Sequence, residues 1–361
     1  MKIGIDATPL SIPFPCGTKH YSQALIKSLA AIDKTNQYIL FAPTKVLIPE
    51  QKNFRQINFP NNLPVLKRQV FLHYAVNKEK VNVFHYLEPS GSVFFKHPKI
   101  VTTVHDLNLK STYPFLSRHF LNRIYCIVSR YVVFANTKTF VSPTNFIKRE
   151  IELNLLKRNL DKKVLKIYEG VDEDFKVLKE PYHKQKYFLC MGDFAPRKNI
   201  PMVLKAYSLL PLSIKEKHHL IIIVSDKIAA ANFKNMIVKY KIKSSADILM
   251  SISKNSLVWF YNNSIAFIYP SLYEGFGLPI LEAMSCGCPV ITSNFGTMKE
   301  IAGKSAFLIN PNSAGDILNA MYKIYTSQKF SKKLTLKGLK RAKKFSWIKT
   351  AQKTIKCYYE V

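Results

Sequence analysis

Residues 265–296 read IAFIYPSLYEGFGLPILEAMSCGCPVITSNFG. The apolar run Ile265 to Tyr269 has strand length, and Pro270 with Ser271 ends it. A loop follows that carries Glu274, Gly275, Phe276, Gly277 and Leu278. Pro279 suits the first turn of a helix, where its missing N–H costs nothing. That helix is expected to run to about Ser285, with Gly287 as its stop and Pro289 beyond it. Val290 to Thr292 begins the next strand. The order is strand, acidic glycine loop, helix, strand.

Glycines let a ligand approach the backbone closely. The N–H groups at a helix start favour an anion such as a phosphate. Glu274 stands just before that start, at the C-terminal end of a strand, where open α/β sheets bind ligands. Glu282 stands one turn into the helix. Two carboxylates so placed suit two hydroxyl-bearing parts of one ligand, such as a sugar and a ribose on either side of a diphosphate. Alone, EGFG would mark only a glycine turn in a βαβ unit. With its spacing and flanking strands, the stretch resembles the E-x7-E region of the retaining glycosyltransferases of the GT4 type, the glycosyl transferases group 1.

A chain of 361 residues is long enough for two domains, and 47% apolar with 12% aromatic residues is enough to build cores. Lys plus Arg number 54 against 23 Asp plus Glu, a formal net charge of +31. Such a field draws anionic membrane, polyanionic substrate or nucleic acid. The six cysteines, Cys16, Cys126, Cys190, Cys286, Cys288 and Cys357, form no secreted-type framework and fit reduced cytosolic thiols. The N-terminus MKIGIDATPL has too short an apolar run for a signal peptide. No apolar stretch reaches the roughly 20 residues of a membrane span.

In the front half, Lys2–Asp6 reads as a strand, followed by a proline-containing loop to Gly17. A helix is expected next, with Tyr21, Leu25, Leu29 and Ile32 on one face. Gly17 takes the place of the glycine in the loop that, in the resembling family, lies beside donor and acceptor; Cys16 stands where the family often has a second glycine. Strands are expected at Tyr38–Ala42, Val81–Tyr86, Lys99–Val104, Thr139–Ser142 and Leu165–Glu169. His85 and His105 end two of them. His85 reads as a core residue. The context VHDLNLKSTYP around His105 resembles the family's HDL segment, which implies contact with the donor sugar. Residues 114–138 form a basic amphipathic helical stretch that could pack on the sheet or lie on an anionic bilayer. YEGVD at 168–172 resembles the turn before the family's interdomain linker, placed here near 174–186.

The rear half restarts with the strand Tyr187–Met191 and then Gly192, in the context GDFAPRKN. This resembles the family's diphosphate-binding loop. A departing nucleoside diphosphate gathers charge on its bridging oxygen, and fixed cations stabilise that charge. Arg contacts phosphate bidentately and Lys acts as a point charge. Many relatives carry Arg directly after the glycine, where this chain has Asp193, so Arg197 and Lys198 take the role. Further strands are expected at Leu220–Val224, Ala246–Met250 and Ala306–Ile309. The segment from 331 to 344, SKKLTLKGLKRAKK, is strongly basic, and a last helix carries Trp347, Ala351, Ile355 and Tyr358 at helical spacing.

The resemblance implies an α/β fold of two facing Rossmann-like domains with parallel sheets, the GT-B class. Residues 1–175 would form an acceptor-side domain and 176–345 a nucleotide-sugar domain, with a helix at 346–361 crossing back to the first. It implies hexose transfer, with retention, from a GDP- or UDP-sugar to a glycan or lipid-linked acceptor in cell-surface polysaccharide or lipopolysaccharide synthesis. The PRKN loop resembles that of bacterial mannosyltransferases. By the same resemblance Glu274 holds donor-sugar hydroxyls and Glu282 the ribose hydroxyls. The amides of Phe276, Gly277 and Leu278, with Arg197 and Lys198, hold the diphosphate. Gly275 and Gly192 shape the loops, and no metal or other cofactor is implied. The expected location is cytoplasmic, peripheral on the inner face of an anionic membrane. The alternatives are a nucleotide-sugar 2-epimerase of the same fold, or a nucleic-acid-binding protein. The basic residues form no recognition module, so no specific nucleic acid is expected.

Overall fold

Short apolar strands alternating with amphipathic helices demand parallel pairing, because each helix carries the chain back to the starting edge. The computed structural model describes residues 1–14, 16–47, 50–59, 65–89, 97, 99–107, 120–158, 161–179 and 186–361; for 65–69 and 120–127 it describes the backbone only. Two units share the chain. One comprises Met1–Gly170 and Trp347–Val361, the other Val171–Ser346.

The first unit runs β1 (Lys2–Asp6), α1 (Gly17–Ile32), β2 (Gln37–Ala42), β3 (Phe54–Asn58), α2 (Val65–Lys78), β4 (Val83–Tyr86), β5 (Ile100–Thr103), α3 (Phe120–Asn136), β6 (Thr139–Ser142), α4 (Asn145–Leu156) and β7 (Lys163–Lys166). Its sheet has the order β3-β2-β1-β4-β5-β6-β7, parallel throughout. The central strands are buried along nearly their whole length, as parallel strands covered on both faces must be. Tyr21, Leu25 and Leu29 of α1 are buried at the expected spacing.

Three details differ from the sequence expectation. The strand expected over Leu165–Glu169 lies instead at Lys163–Lys166, where KVLK on the sheet edge gives a weak apolar signal. β3, also an edge strand, alternates buried Phe54 with half-exposed polar residues and has no apolar run to betray it. The helix expected over 114–138 is described from Phe120; residues 108–119, including most of the VHDLNLKSTYP context, lie outside the described residues.

The second unit runs β8 (Tyr187–Met191), α5 (Ile200–Ser208), β9 (Leu220–Val224), α6 (Lys227–Lys239), β10 (Ala246–Met250), α7 (Lys254–Asn262), β11 (Ser264–Tyr269), α8 (Leu278–Ser285), β12 (Val290–Ser293), α9 (Gly296–Ala302), β13 (Phe307–Ile309), α10 (Ala314–Thr326) and α11 (Gln328–Ala342). Its sheet order is β10-β9-β8-β11-β12-β13, again parallel. Phe188, Ile222, Ala266, Ile268 and Ile291 from the strands meet Val203, Leu204, Phe233 and Ile317 from the helices in one core.

After the second unit the chain forms α12 (Trp347–Tyr359), which belongs to the first unit and packs on α1. Trp347, Ala351, Cys357 and Tyr358 are its buried stripe. Burying each large side chain is worth about 1.5–3 kcal/mol. Thr350 Oγ1 donates to the Tyr168 carbonyl at 2.7 Å, and the Tyr358 hydroxyl lies 2.7 Å from His85 Nδ1. The return of the last helix to the first unit is therefore held by both apolar burial and buried polar contacts.

Candidate active site

In the second sheet the strand order reverses between β8 and β11. Loops leaving the C-terminal ends of those two neighbours must diverge to opposite sides, and the gap between them is where a doubly wound sheet takes its ligand. The loop after β8 carries Arg197 and Lys198; the loop after β11 carries Glu274. Topology thus brings together residues more than seventy positions apart.

Local chemistry then fixes the loops. The Ala195 N–H donates to Asp193 Oδ1 at 3.0 Å, so the residue that stands in place of the resembling family's frequent Arg shapes the turn. Pro196, Arg197 and Lys198 make one tight helical turn, closed by Asn199 at φ 58°. Asn tolerates this left-handed conformation better than most residues. Its buried side-chain amide donates to the Pro270 carbonyl at 3.3 Å and the Pro311 carbonyl at 2.8 Å. The Leu272 N–H donates to the Arg197 carbonyl at 2.7 Å. Three hydrogen bonds therefore tie the cation loop to the chain around it, two of them to the carboxylate loop. A Cβ at Gly192 would stand 3.1 Å from Lys198 Cβ, so the glycine leaves room for the lysine stem to cross the backbone.

The result is a compact charged cluster. Arg197 Nη1 donates to Glu274 Oε2 at 2.7 Å, and Lys198 Nζ lies 2.8 Å from Glu274 Oε1. The Tyr269 hydroxyl donates to Glu274 Oε1 at 2.9 Å and accepts from Lys198 Nζ at 2.9 Å. The Glu274 side chain is 11% exposed and that of Lys198 16%. Burial by itself would raise the Glu274 carboxyl, but Lys198 and Arg197 outweigh it and hold the pKa below the ordinary carboxylate value. Burial would lower the Lys198 ammonium; Tyr269 and Glu274 outweigh that and raise it. Burial, with the charge of Glu274, pushes the Tyr269 phenol up to about 12. At neutral pH the cluster holds two cations, one anion and a neutral phenol, leaving one net positive charge.

The carboxylate loop ends at Gly277, whose φ of +94° only glycine adopts without strain. α8 starts at Leu278 with Pro279 in its first turn and no acidic residue there. Pro279 brings no N–H to this first turn and the Ile280 N–H donates to the Gly277 carbonyl at 3.0 Å, so the N–H that opens the helix is that of Leu278. The Phe276 ring is buried edge-on to Phe345, which leaves the backbone as the ligand-facing part of that residue. Gly275 precedes it without a positive φ. Glu282 lies one turn into α8, where its carboxylate accepts from the Tyr261 hydroxyl at 3.3 Å.

In the first unit, His105 stands just past β5. Its Nδ1 lies 3.2 Å from Glu169 Oε1 and its Nε2 3.1 Å from the Leu87 carbonyl. Both partners are acceptors, so only the imidazolium can donate to both. Burial would lower its pKa; the hydrogen bond and charge of Glu169 outweigh burial and raise it. His85 is its opposite. It is fully buried between Tyr358 and Thr103, with Nε2 2.9 Å from Thr103 Oγ1, and burial lowers its pKa to about 3. It is a neutral core histidine. Gly17 opens α1, and a Cβ there would meet open space.

Sequence reasoning missed Tyr269, Asn199 as a loop anchor, Tyr261 and Glu169. Tyr269 read only as the last apolar residue of a strand. Its phenol could have been noticed as a polar tip at a strand's C-terminal end. Glu169 read only as part of the YEGVD turn, and nothing local tied it to His105. Among the described residues, no group of three or more His, Cys, Asp or Glu side chains is placed to hold a metal ion. Among those residues, too, no helix is long and apolar enough to cross a membrane.

Two parallel-sheet Rossmann-like units give the chain the GT-B fold, and its sequence matches make it a glycosyltransferase. Residues 171–341 match the family Glycosyl transferases group 1, and the chain carries this domain as its second unit. The O-antigen chain mannosyltransferase B of Escherichia coli is 28% identical over 393 residues, covering 99% of this chain and 99% of that one. Among solved structures, sucrose-phosphate synthase from Thermosynechococcus elongatus has a TM-score of 0.77 at 18% identity, covering 100% of this chain and 98% of that one. Anabaena HepE in complex with UDP and glucose has a TM-score of 0.75 at 13% identity, covering 100% of both chains.

Proposed function

We propose that this glycosyltransferase moves a mannosyl residue from GDP-mannose, with retention at the anomeric carbon, to a lipid-linked glycan in lipopolysaccharide O-antigen synthesis. The observation that carries the reading is the pairing of Glu274 with both Arg197 and Lys198 beside the start of α8. The mannosyl donor and O-antigen acceptor are supported by the Escherichia coli mannosyltransferase, similar over nearly its whole length. A nucleoside-diphosphate donor is supported by HepE, whose structure holds UDP and glucose.

The cluster suits this chemistry because Glu274 holds both cations in place before the donor arrives and still leaves one net positive charge for it. An incoming diphosphate competes with Glu274 for Arg197 and Lys198 and settles against the opening amide of α8. Glu274 is then free to accept hydroxyl hydrogen bonds from the sugar. As the glycosidic bond lengthens, charge grows on the leaving phosphate oxygen, where the two cations stand ready. Glu282 holds the ribose hydroxyls, and Tyr261 orients its carboxylate. No bound metal is needed, because side chains and helix start supply the positive charge. The enzyme works on the cytoplasmic face of the membrane that carries its acceptor.

The test is a panel of GDP- and UDP-sugars offered with and without a lipid-linked acceptor, the product anomer being read by NMR. Acceptor-dependent consumption of GDP-mannose with an α-linked product supports the reading. Consumption without acceptor, yielding the 2-epimer, replaces it with the epimerase alternative.

A further inference from the structure

We infer that the exposed face of α11 is a docking surface for an anionic lipid bilayer. The inference rests on the reading that the acceptor is membrane-bound and goes beyond it by naming the surface.

The helix and the two residues after it read QKFSKKLTLKGLKRAKK from Gln328 to Lys344, with no acidic residue. Leu334, Gly338 and Ala342 face inward, and a Cβ on Gly338 would meet Met284 of α8 at 3.2 Å. At about 100° per residue, Lys329, Lys332, Lys333, Lys337, Lys340, Lys343 and Lys344 fall within roughly 140° of arc on the opposite side. All seven are exposed. Leu336 sits inside the same arc and is 60% exposed. Arg341 turns away, its Nε and Nη2 donating to the Ile301 and Glu300 carbonyls, so it clamps the helix to α9.

Seven like charges on one face repel one another and are destabilising in isolation. Their arrangement suits a sheet of phosphates. The arc extends about 22 Å along the axis, from the rise of an α-helix over fifteen residues. Long lysine stems let ammonium groups reach headgroup phosphates while the helix lies flat. Leu336, alone and apolar at the middle of the arc, has a place in the acyl boundary but none on a sugar-phosphate backbone. No aromatic or amide side chain interrupts the arc to read bases, which separates this surface from a nucleic-acid site.

The experiment is co-sedimentation of the full chain with vesicles of phosphatidylcholine containing phosphatidylglycerol, against pure phosphatidylcholine. The triple variant K332E/K333E/K340E is compared with K234E/K239E/K243E, which changes net charge equally at exposed lysines elsewhere in the second unit. We expect the α11 variant to lose roughly a hundredfold or more in partition onto anionic vesicles, from about 1 kcal/mol per basic side chain near such a surface. The control triple should lose far less, and Leu336→Asp should weaken binding without changing net charge by more than one. GDP titration reports that each variant keeps its folded donor site. Equal losses in both triples, or binding that ignores vesicle charge, overturn the proposal, as does retention on duplex DNA at 150 mM salt without vesicle binding. Donor transfer to a soluble fragment of the acceptor is assayed in parallel. Its absence sinks the transferase reading and leaves the vesicle result to decide the docking surface.

Discussion

Lys198 Nζ and Glu274 Oε1 lie 2.8 Å apart, although 76 positions separate them and they leave different strands of the second sheet. The pair forms because β8 and β11 are neighbours whose loops meet at the reversal of strand order. Tyr269 completes it by bonding to both partners.

Glu274→Gln is expected to lower transfer by at least about a thousandfold, since an amide accepts sugar hydroxyls poorly and leaves the cations unbalanced. GDP binding should hold or tighten, because Arg197 and Lys198 no longer have a competing carboxylate. Isothermal titration beside the transfer assay separates the two effects. Glu274→Ala should also destabilise the second unit by about 3–5 kcal/mol, the usual consequence of stranding a buried partner. Turnover near normal in either variant defeats the assignment.

Tyr269→Phe removes one hydroxyl that serves two charged groups. Stability should fall by about 1.5–3 kcal/mol, the range for hydrogen bonds to charged groups. The transfer rate should fall with it while GDP affinity changes little. Urea unfolding and steady-state kinetics check this. No change in kcat would make Tyr269 a packing residue only.

Asn199→Ala loses two hydrogen bonds to buried carbonyls and places alanine at φ 58°. A cost of about 2–4 kcal/mol follows from the stranded carbonyls and the left-handed backbone. Asn199→Gly should recover the conformational part but not the hydrogen bonds. Denaturation midpoints of the three proteins give the split.

Two histidines in the first unit predict opposite slopes of stability with pH. His85 is held neutral, its pKa lowered from 6.5 to about 3, so the unfolded chain binds more protons between those values. Stability should therefore rise with pH across that window. His105 is raised above 6.5 by Glu169, so its contribution is full below 6.5 and is lost as pH climbs through the raised value. His85→Gln should flatten the acid limb, and His105→Gln the limb above neutrality. Thermal unfolding scans from pH 4 to 9 test both, and unchanged limbs contradict the assignment.

Transfer activity should survive exhaustive chelation by EDTA, since Arg197, Lys198 and the start of α8 supply the positive charge. Loss of activity that a divalent ion restores would count against this.

Much of the second unit was legible because its signals are local. A strand of five apolar residues, a glycine loop, a proline in the first helical turn and a second glycine at the stop each act within a few residues. Local sterics and hydrogen bonding decide them. Edge strands β3 and β7 were poorly legible, because an edge buries one face and carries little apolar excess.

What the sequence by itself determined is the set of elements and the chemical types available at their ends: two acids, two cations and glycines where a ligand would come close. It left open which of these meet. Only the tertiary structure decided that Glu274 pairs with both Arg197 and Lys198, that Tyr269 and Asn199 hold them there, and that Glu169 raises the pKa of His105 while burial lowers that of His85. Those outcomes depend on strand order and burial, which set distance and dielectric between residues far apart in the chain, and no local pattern encodes either.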